Sequence, residues 1–157
     1  MQTQEIINML NQNRAAELVA IMQYMNHHYR VTGQDFLALR GLFRELGIVE
    51  MQHAEKLAER ITLLGGDPIS KTEAIQQNTE LKVIEGENQT DMAQADLQYE
   101  QMAIDDYITN IRKIGDADPV TRKMLEDILE QEEEHAHDLS SWLGQEEMPF
   151  GLKAVGE

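Results

Sequence analysis

The chain contains no cysteine. That excludes disulfides, zinc–thiolate sites, Cys-ligated iron–sulfur clusters and thiol catalysis. The absence also fits a reducing cytoplasm. Aromatic residues make up only 5% of the sequence and there are three prolines. Strands favour aromatic and β-branched residues, whereas the long stretches here are rich in Ala, Leu, Ile, Met, Gln, Glu, Lys and Arg, which favour helix. No apolar run approaches the roughly 18 residues that a membrane span needs. The first residues, MQTQEIINML, lack the basic stretch and apolar run of a secretory signal. A cytoplasmic protein with no membrane partner is expected. Basic charge is scarce as well: 13 Lys and Arg stand against 29 Asp and Glu, a formal net charge of -16. Such a surface repels nucleic-acid phosphates and anionic lipids, so DNA is not an expected partner. The same field concentrates cations.

What is present is helical periodicity. Apolar residues recur at steps of three and four in four long blocks, from about Thr3 to Tyr29, Phe36 to Leu64, Asp91 to Ile114 and Val120 to Leu143. The segment VTGQD (31–35) separates the first two, with Asp35 as the expected N-cap. GDADP (115–119) separates the last two, with Pro119 suited to a first helical turn. These short links predict two antiparallel hairpins. The link between the second and third blocks is long and predicts a short helix around KTEAIQQNTEL. Four helices with one long crossover describe an all-α, ferritin-like four-helix bundle. The expected bundle spans 1–145, followed by a short tail at 146–157 without regular helix.

A weak internal repeat runs through the polar residues. Glu17 is followed after 33 positions by Glu50 and then His53, and Glu100 after 32 positions by Glu132 and then His135. Glu50 and His53 interrupt an apolar stripe of Leu39, Leu42, Phe43, Leu46, Leu57, Ile61 and Leu64. Glu132 and His135 interrupt another, of Leu125, Ile128, Leu129, Leu139 and Trp142. Glu134 and His137 share the same spacing, but Glu134 lies about 200° around the helix from Glu132 and belongs to the wet face with Glu130 and Glu133. Glu17 shares a face with Leu10, Ile21, Tyr24 and His28, and Glu100 with Ala93, Leu97, Ile104, Tyr107 and Ile111. Asp96, one turn before Glu100, is a candidate supporting group. Tyr24 and Tyr107 each follow an inward Glu by seven residues and read first as core tyrosines.

Four carboxylates and two imidazoles in one core repel and desolvate one another, which a pair of cations relieves. Carboxylate-rich ligands with one imidazole per ion suit iron or manganese better than copper or zinc. The arrangement matches the general scheme of di-iron and di-manganese carboxylate bundles. In it Glu50 and Glu132 bridge or chelate, Glu17 and Glu100 each cap one ion, and His53 and His135 each ligate one. Two Fe(II) ions held together pass two electrons to O₂ or H₂O₂.

The stretches ELVAIMQYMNHH (17–28), EMQHAEKLAERI (50–61) and LEDILEQEEEHAHDL (125–139) resemble the bacterioferritins, within the wider ferritin-like family, and the resemblance covers about residues 3–143. It implies a ferroxidase centre with two iron ions per subunit on Glu17, Glu50, His53, Glu100, Glu132 and His135. It further implies Fe(II) oxidation and storage of the Fe(III) mineral in a hollow homo-oligomeric shell. A haem held between two subunits by one methionine from each is a second family feature, and its position here is Met51. About 100° separates Met51 from Glu50 around the helix, which directs it out of the bundle. The crossover is several residues longer than the family usually has, the fifth helix is replaced by a Gly/Pro-containing tail, and Glu45 and Val49 stand where inner-surface His and Asp are expected. Shells of 24 or 12 subunits, the latter of the Dps-like type, and a plain dimer therefore all stay open. The alternative function is a non-storage di-iron or di-manganese redox enzyme, a rubrerythrin-like peroxidase or catalase. Ala103, one turn after Glu100, and the missing cysteines lean away from it.

Overall fold

The computed structural model describes residues 1–145; the tail expected at 146–157 lies outside the described residues. Five helices follow one another: α1 (Thr3–Arg30), α2 (Phe36–Leu63), α3 (Thr72–Asn78), α4 (Gln89–Ile114) and α5 (Pro119–Trp142). Among the described residues there is no strand, and no helix is long and apolar enough to cross a membrane. α1 packs chiefly on α2 and α4 on α5, and α1 also meets α4 across the bundle. The long helices are the four periodic blocks, and α3 is the short helix expected in the crossover.

The helix ends have local causes. The Asn88 side chain accepts from the Asp91 N–H at the start of α4, and Asp118 accepts from the Thr121 N–H at the start of α5, with Pro119 in its first turn. Asp35 behaves differently from the expectation. It precedes α2 in a left-handed conformation, φ 59°, and its side chain makes no capping bond. The tight turn after Gly33 (φ 106°) takes up the backbone that an extended cap residue would need. At the other end of α2, a Cβ on Gly66 would lie 2.7 Å from Ile7 Cγ2, so only glycine lets the chain leave the helix this close to α1.

The crossover is laid onto the bundle by side chains that grip its backbone. Asn11 bonds both Asp67 O (3.1 Å) and Ile69 N (3.0 Å), and Arg14 Nε donates to Ile69 O at 2.9 Å. Further along, Ile84 N donates to Gln23 Oε1 at 2.8 Å, and the Tyr99 hydroxyl bonds the backbone of Lys82. None of these contacts has a helical period, so none could be read from periodicity.

The core is two apolar clusters, one toward each end of the bundle. One gathers Leu39, Phe43, Leu46, Leu97, Ile104 and Leu139; the other gathers Leu10, Leu57, Ile61, Leu125 and Ile128. Full burial of each such side chain contributes about 1.5–3 kcal/mol. Between the clusters lies a layer of buried charge. Glu17, Glu50, His53, Glu100, Glu132 and His135 are all buried there.

Candidate metal centre

The six residues that the stripes single out meet in this layer. His53 Nδ1 lies 3.3 Å from Glu50 Oε2, 3.0 Å from Glu132 Oε1 and 4.0 Å from Glu17 Oε2. His135 Nδ1 lies 2.9 Å from Glu50 Oε1, 3.5 Å from Glu132 Oε2 and 3.5 Å from Glu100 Oε2. The two imidazoles stack with centroids 5.9 Å apart. The ligand atoms fall into two overlapping groups, Glu17–Glu50–His53–Glu132 and Glu50–Glu100–Glu132–His135. Glu50 and Glu132 belong to both, Glu17 and Glu100 to one each.

The donor set fits two divalent cations. Glu50 Oε1, Glu100 Oε2, Glu132 Oε1 and His135 Nδ1 are buried without a hydrogen bond of good geometry. Buried polar atoms are rarely left so, and these four all converge on the space between the glutamates. Charge points the same way. Burial and the charges of Glu132 and Glu50 push the Glu17 carboxyl well above its ordinary range, and burial with the same two neighbours does so for Glu100. Burial also acts against ionisation of Glu50, yet hydrogen bonds to His135 and His53 hold it low. Burial would lower His53, but Glu132 and Glu50 raise it to about 10, and Glu100, Glu132 and Glu50 likewise raise His135. Without a cation, the shifts favour protons on the histidines and on Glu17 and Glu100, which offset the charge of the cluster. Two divalent cations balance four carboxylates and two neutral imidazoles equally well.

Several supporting residues depart from the sequence reading. Tyr24 and Tyr107 are fully buried, but they are more than core tyrosines. Tyr24 donates to Glu100 Oε1 and Tyr107 to Glu17 Oε1, so each holds the capping glutamate of the other half. His27, not His28, lies on the buried face of α1, and Ile21 is half-buried. The crossover covers the position of His27, whose Nε2 lies 2.6 Å from Ile84 O. Asp96 bonds His27 Nδ1 at 2.9 Å and Gln23 Nε2 at 2.9 Å, and so anchors this clasp. Gln131 was not singled out by the sequence. It lies 3.0 Å from His53 Nε2, and a polar residue directly before an inward Glu was its one signal. Met51 is 47% exposed on the outer side of α2, consistent with a direction out of the bundle. Glu130, Glu134 and His137 are exposed and Glu133 is partly so.

A cavity of about 340 Å³ opens between α1 and α4 beneath the crossover. Its floor includes Glu17, Glu50, Glu100 and Glu132, and its outer wall includes Gln12, Asp106, Lys113 and residues 78–81.

Comparison with known proteins agrees with this architecture. Residues 7–148 match the ferritin-like domain family. The bacterioferritin of Desulfovibrio desulfuricans is 36% identical over 132 residues, 83% of this chain and 70% of that protein. Its X-ray structure, described with a di-iron site in different catalytic states, aligns with a TM-score of 0.80 at 33% identity, covering 89% of this chain and 78% of the other. The dodecameric thioferritin of Bacteroides fragilis, a bacterioferritin-related protein, aligns with a TM-score of 0.87 at 25% identity over 92% and 87% of the two chains. A Dps protein from Bacillus brevis aligns with a TM-score of 0.86 at 26% identity over 91% and 99%. With its bundle, its long crossover and this extent of similarity, the chain belongs to the ferritin-like family.

Proposed function

We propose that this protein is an iron-storage ferritin of bacterioferritin type, which oxidises Fe(II) at the Glu17–Glu50–His53–Glu100–Glu132–His135 centre and stores the Fe(III) in a shell of identical subunits. The observation that carries the reading is the pair of overlapping carboxylate–histidine groups, floored in a cavity that opens to the surface. Two Fe(II) ions supplied as substrate each give one electron, together reducing O₂ and two protons to H₂O₂, or H₂O₂ and two protons to water. In this reading Glu50 and Glu132 serve both ions, Glu17 and His53 one, Glu100 and His135 the other. Tyr24 and Tyr107 keep the capping carboxylates aimed inward. The cavity between α1 and α4 offers the ions a route, with Asp106 on its outer wall. Localisation in the cytoplasm follows from the same reading, since a store serves the compartment that uses the iron.

Assembly is supported by the outer side of the α1–α2 pair. Met22 is 50% exposed. The contact of Gly47 with Met25 and the antiparallel run of the two helices bring Met22 level with Met51. Exposed apolar side chains grouped in this way mark interaction surfaces. The same face suits a haem shared by two copies, with Met51 of each as its ligand. A haem-reconstituted protein then shows the spectrum of a bis-methionine haem, which Met51→Leu abolishes.

The direct test is size-exclusion chromatography with in-line light scattering on protein titrated anaerobically with Fe(II) and then exposed to air. The expected species has 12 or 24 chains and iron far above two per chain. A small oligomer that stops at about two irons per chain overturns storage and moves the function to a di-iron or di-manganese redox enzyme.

A further inference from the structure

The two halves of the centre are related by a near-twofold repeat. Glu17, Glu50, His53 and Tyr24 on α1 and α2 correspond to Glu100, Glu132, His135 and Tyr107 on α4 and α5. The tyrosines obey the repeat, each bonding the capping glutamate of the opposite half. One pair of positions beside the shared glutamates breaks it. The residue directly before the shared glutamate is Gln131 on α5 but Val49 on α2.

That difference reaches the ligands. Gln131 Oε1 lies 3.0 Å from His53 Nε2, with Lys56 Nζ at 3.4 Å from the same oxygen. The ammonium can only donate, so the amide oxygen faces it, and His53 Nε2 is then the donor to that oxygen. This leaves the Nδ1 lone pair of a neutral His53 facing the glutamates. Val49 offers no acceptor. Among the described residues, no hydrogen bond to His135 Nε2 accompanies the contacts of its Nδ1. His53 is wholly enclosed, whereas His135 retains 5% exposure. A ligating histidine whose far nitrogen donates to a fixed oxygen has its tautomer and ring orientation set in advance and is the more basic ligand.

We infer that the two cation positions are inequivalent: the Glu17–His53 position, set by Gln131 as a positioning residue, binds a divalent cation more tightly and fills before the Glu100–His135 position. The inference rests on the di-metal reading of the centre. Loss of an outer partner of this kind costs roughly 10- to 100-fold in metal affinity, which sets the expected separation between the two steps.

Titration of the wild-type protein with Co(II), followed by calorimetry and by the visible absorption of the bound ion, is expected to show two steps. Gln131→Leu is expected to weaken the tighter step by about 10- to 100-fold, and Gln131→Glu, which keeps an acceptor, to restore it. Val49→Gln supplies the missing counterpart and is expected to strengthen the weaker step alone. Thermal unfolding of each cation-free variant separates a binding effect from a folding defect, and Val49→Gln reads a gain that a damaged protein cannot give. Two bound Co(II) ions with a Gln131→Leu isotherm superimposable on wild type overturn the inequivalence and leave the centre standing. Failure of the wild-type protein to bind Co(II) overturns the centre itself.

Discussion

Glu50 and Glu17 differ in one respect that mutation can read. Glu50 belongs to both ligand groups and Glu17 to one. Glu50→Ala is therefore expected to abolish rapid Fe(II) oxidation, whereas Glu17→Ala keeps one cation of two; stopped-flow absorbance and Co(II) stoichiometry check the pair. Retention of both ions by Glu50→Ala would remove the shared carboxylate from the scheme. The histidines add a pH dependence. His53 is raised from 6.5 to about 10, with burial outweighed by its bonds to Glu132 and Glu50. Its proton is held more tightly in the folded than in the unfolded chain. The stability it contributes is thus full below about 6.5 and is lost as pH rises toward about 10. A bound cation must displace that proton and the one on His135. Cation affinity is then expected to rise with pH, with at least two protons released per pair of ions, and four where Glu17 and Glu100 are also neutral. Calorimetry in two buffers of different ionisation enthalpy counts them. Uptake without proton release would mean that the histidines are not ligands.

At the level of the helices, Asp118 joins two tasks at the start of α5. Its side chain accepts from the Thr121 N–H at 3.1 Å and from Arg60 Nη2 at 2.6 Å, which ties the end of α2 to α5. Asp118→Ala is expected to lower stability by about 1–2 kcal/mol, read as a shift in the urea midpoint, and an unchanged midpoint would mean that Pro119 alone sets the helix start. The carboxyl sits at about 2: burial works against the charge, but Thr121 and Arg60 outweigh it. The contribution is full above about pH 4 and lost as pH falls through 2. Both hairpins, the crossover helix and the six residues Glu17, Glu50, His53, Glu100, Glu132 and His135 were legible in the sequence, because a charge inside a three-four apolar stripe is a conspicuous interruption. The stripes were cleanest on α2 and α5, where Leu and Ile flank the charged pair on both sides. On α1 the reading slipped from His27 to His28. His27 packs against Phe43 of α2, bonds Asp96 of α4 and meets Ile84 O of the crossover, the last two 69 and 57 residues away, and such partners leave no local signal on α1. Tyr24 and Tyr107 were placed correctly, but their hydroxyl partners lie 76 and 90 residues away, and no local pattern encodes a partner so distant.

For the whole molecule, the decisive feature is a contrast between the inner and outer sides of the α1–α2 pair. The inner side carries the glutamates and histidines. The outer side exposes Met22 and Met51, with Tyr29 and Leu37 also exposed toward the other end of the pair. A chain with net charge -16 disfavours self-association through its charged surface, so an assembly has to use apolar area to overcome that repulsion. Among the described residues, the pair of methionines offers such area next to a rigid helix pair. Met22→Asp places a charge there without touching the core, since Met22 is half exposed and makes no contribution to either apolar cluster. The variant is expected to elute as a dimer or monomer by light scattering. It should keep its helical circular dichroism and still bind two Co(II) ions per chain, because all six ligands come from one subunit. Iron loading should then fall to the stoichiometry of the centre, since no shell remains to hold a mineral. A variant that still forms the full assembly would place the subunit contact elsewhere on the molecule. A variant that loses cation binding together with assembly would mean that the centre depends on the neighbouring copy.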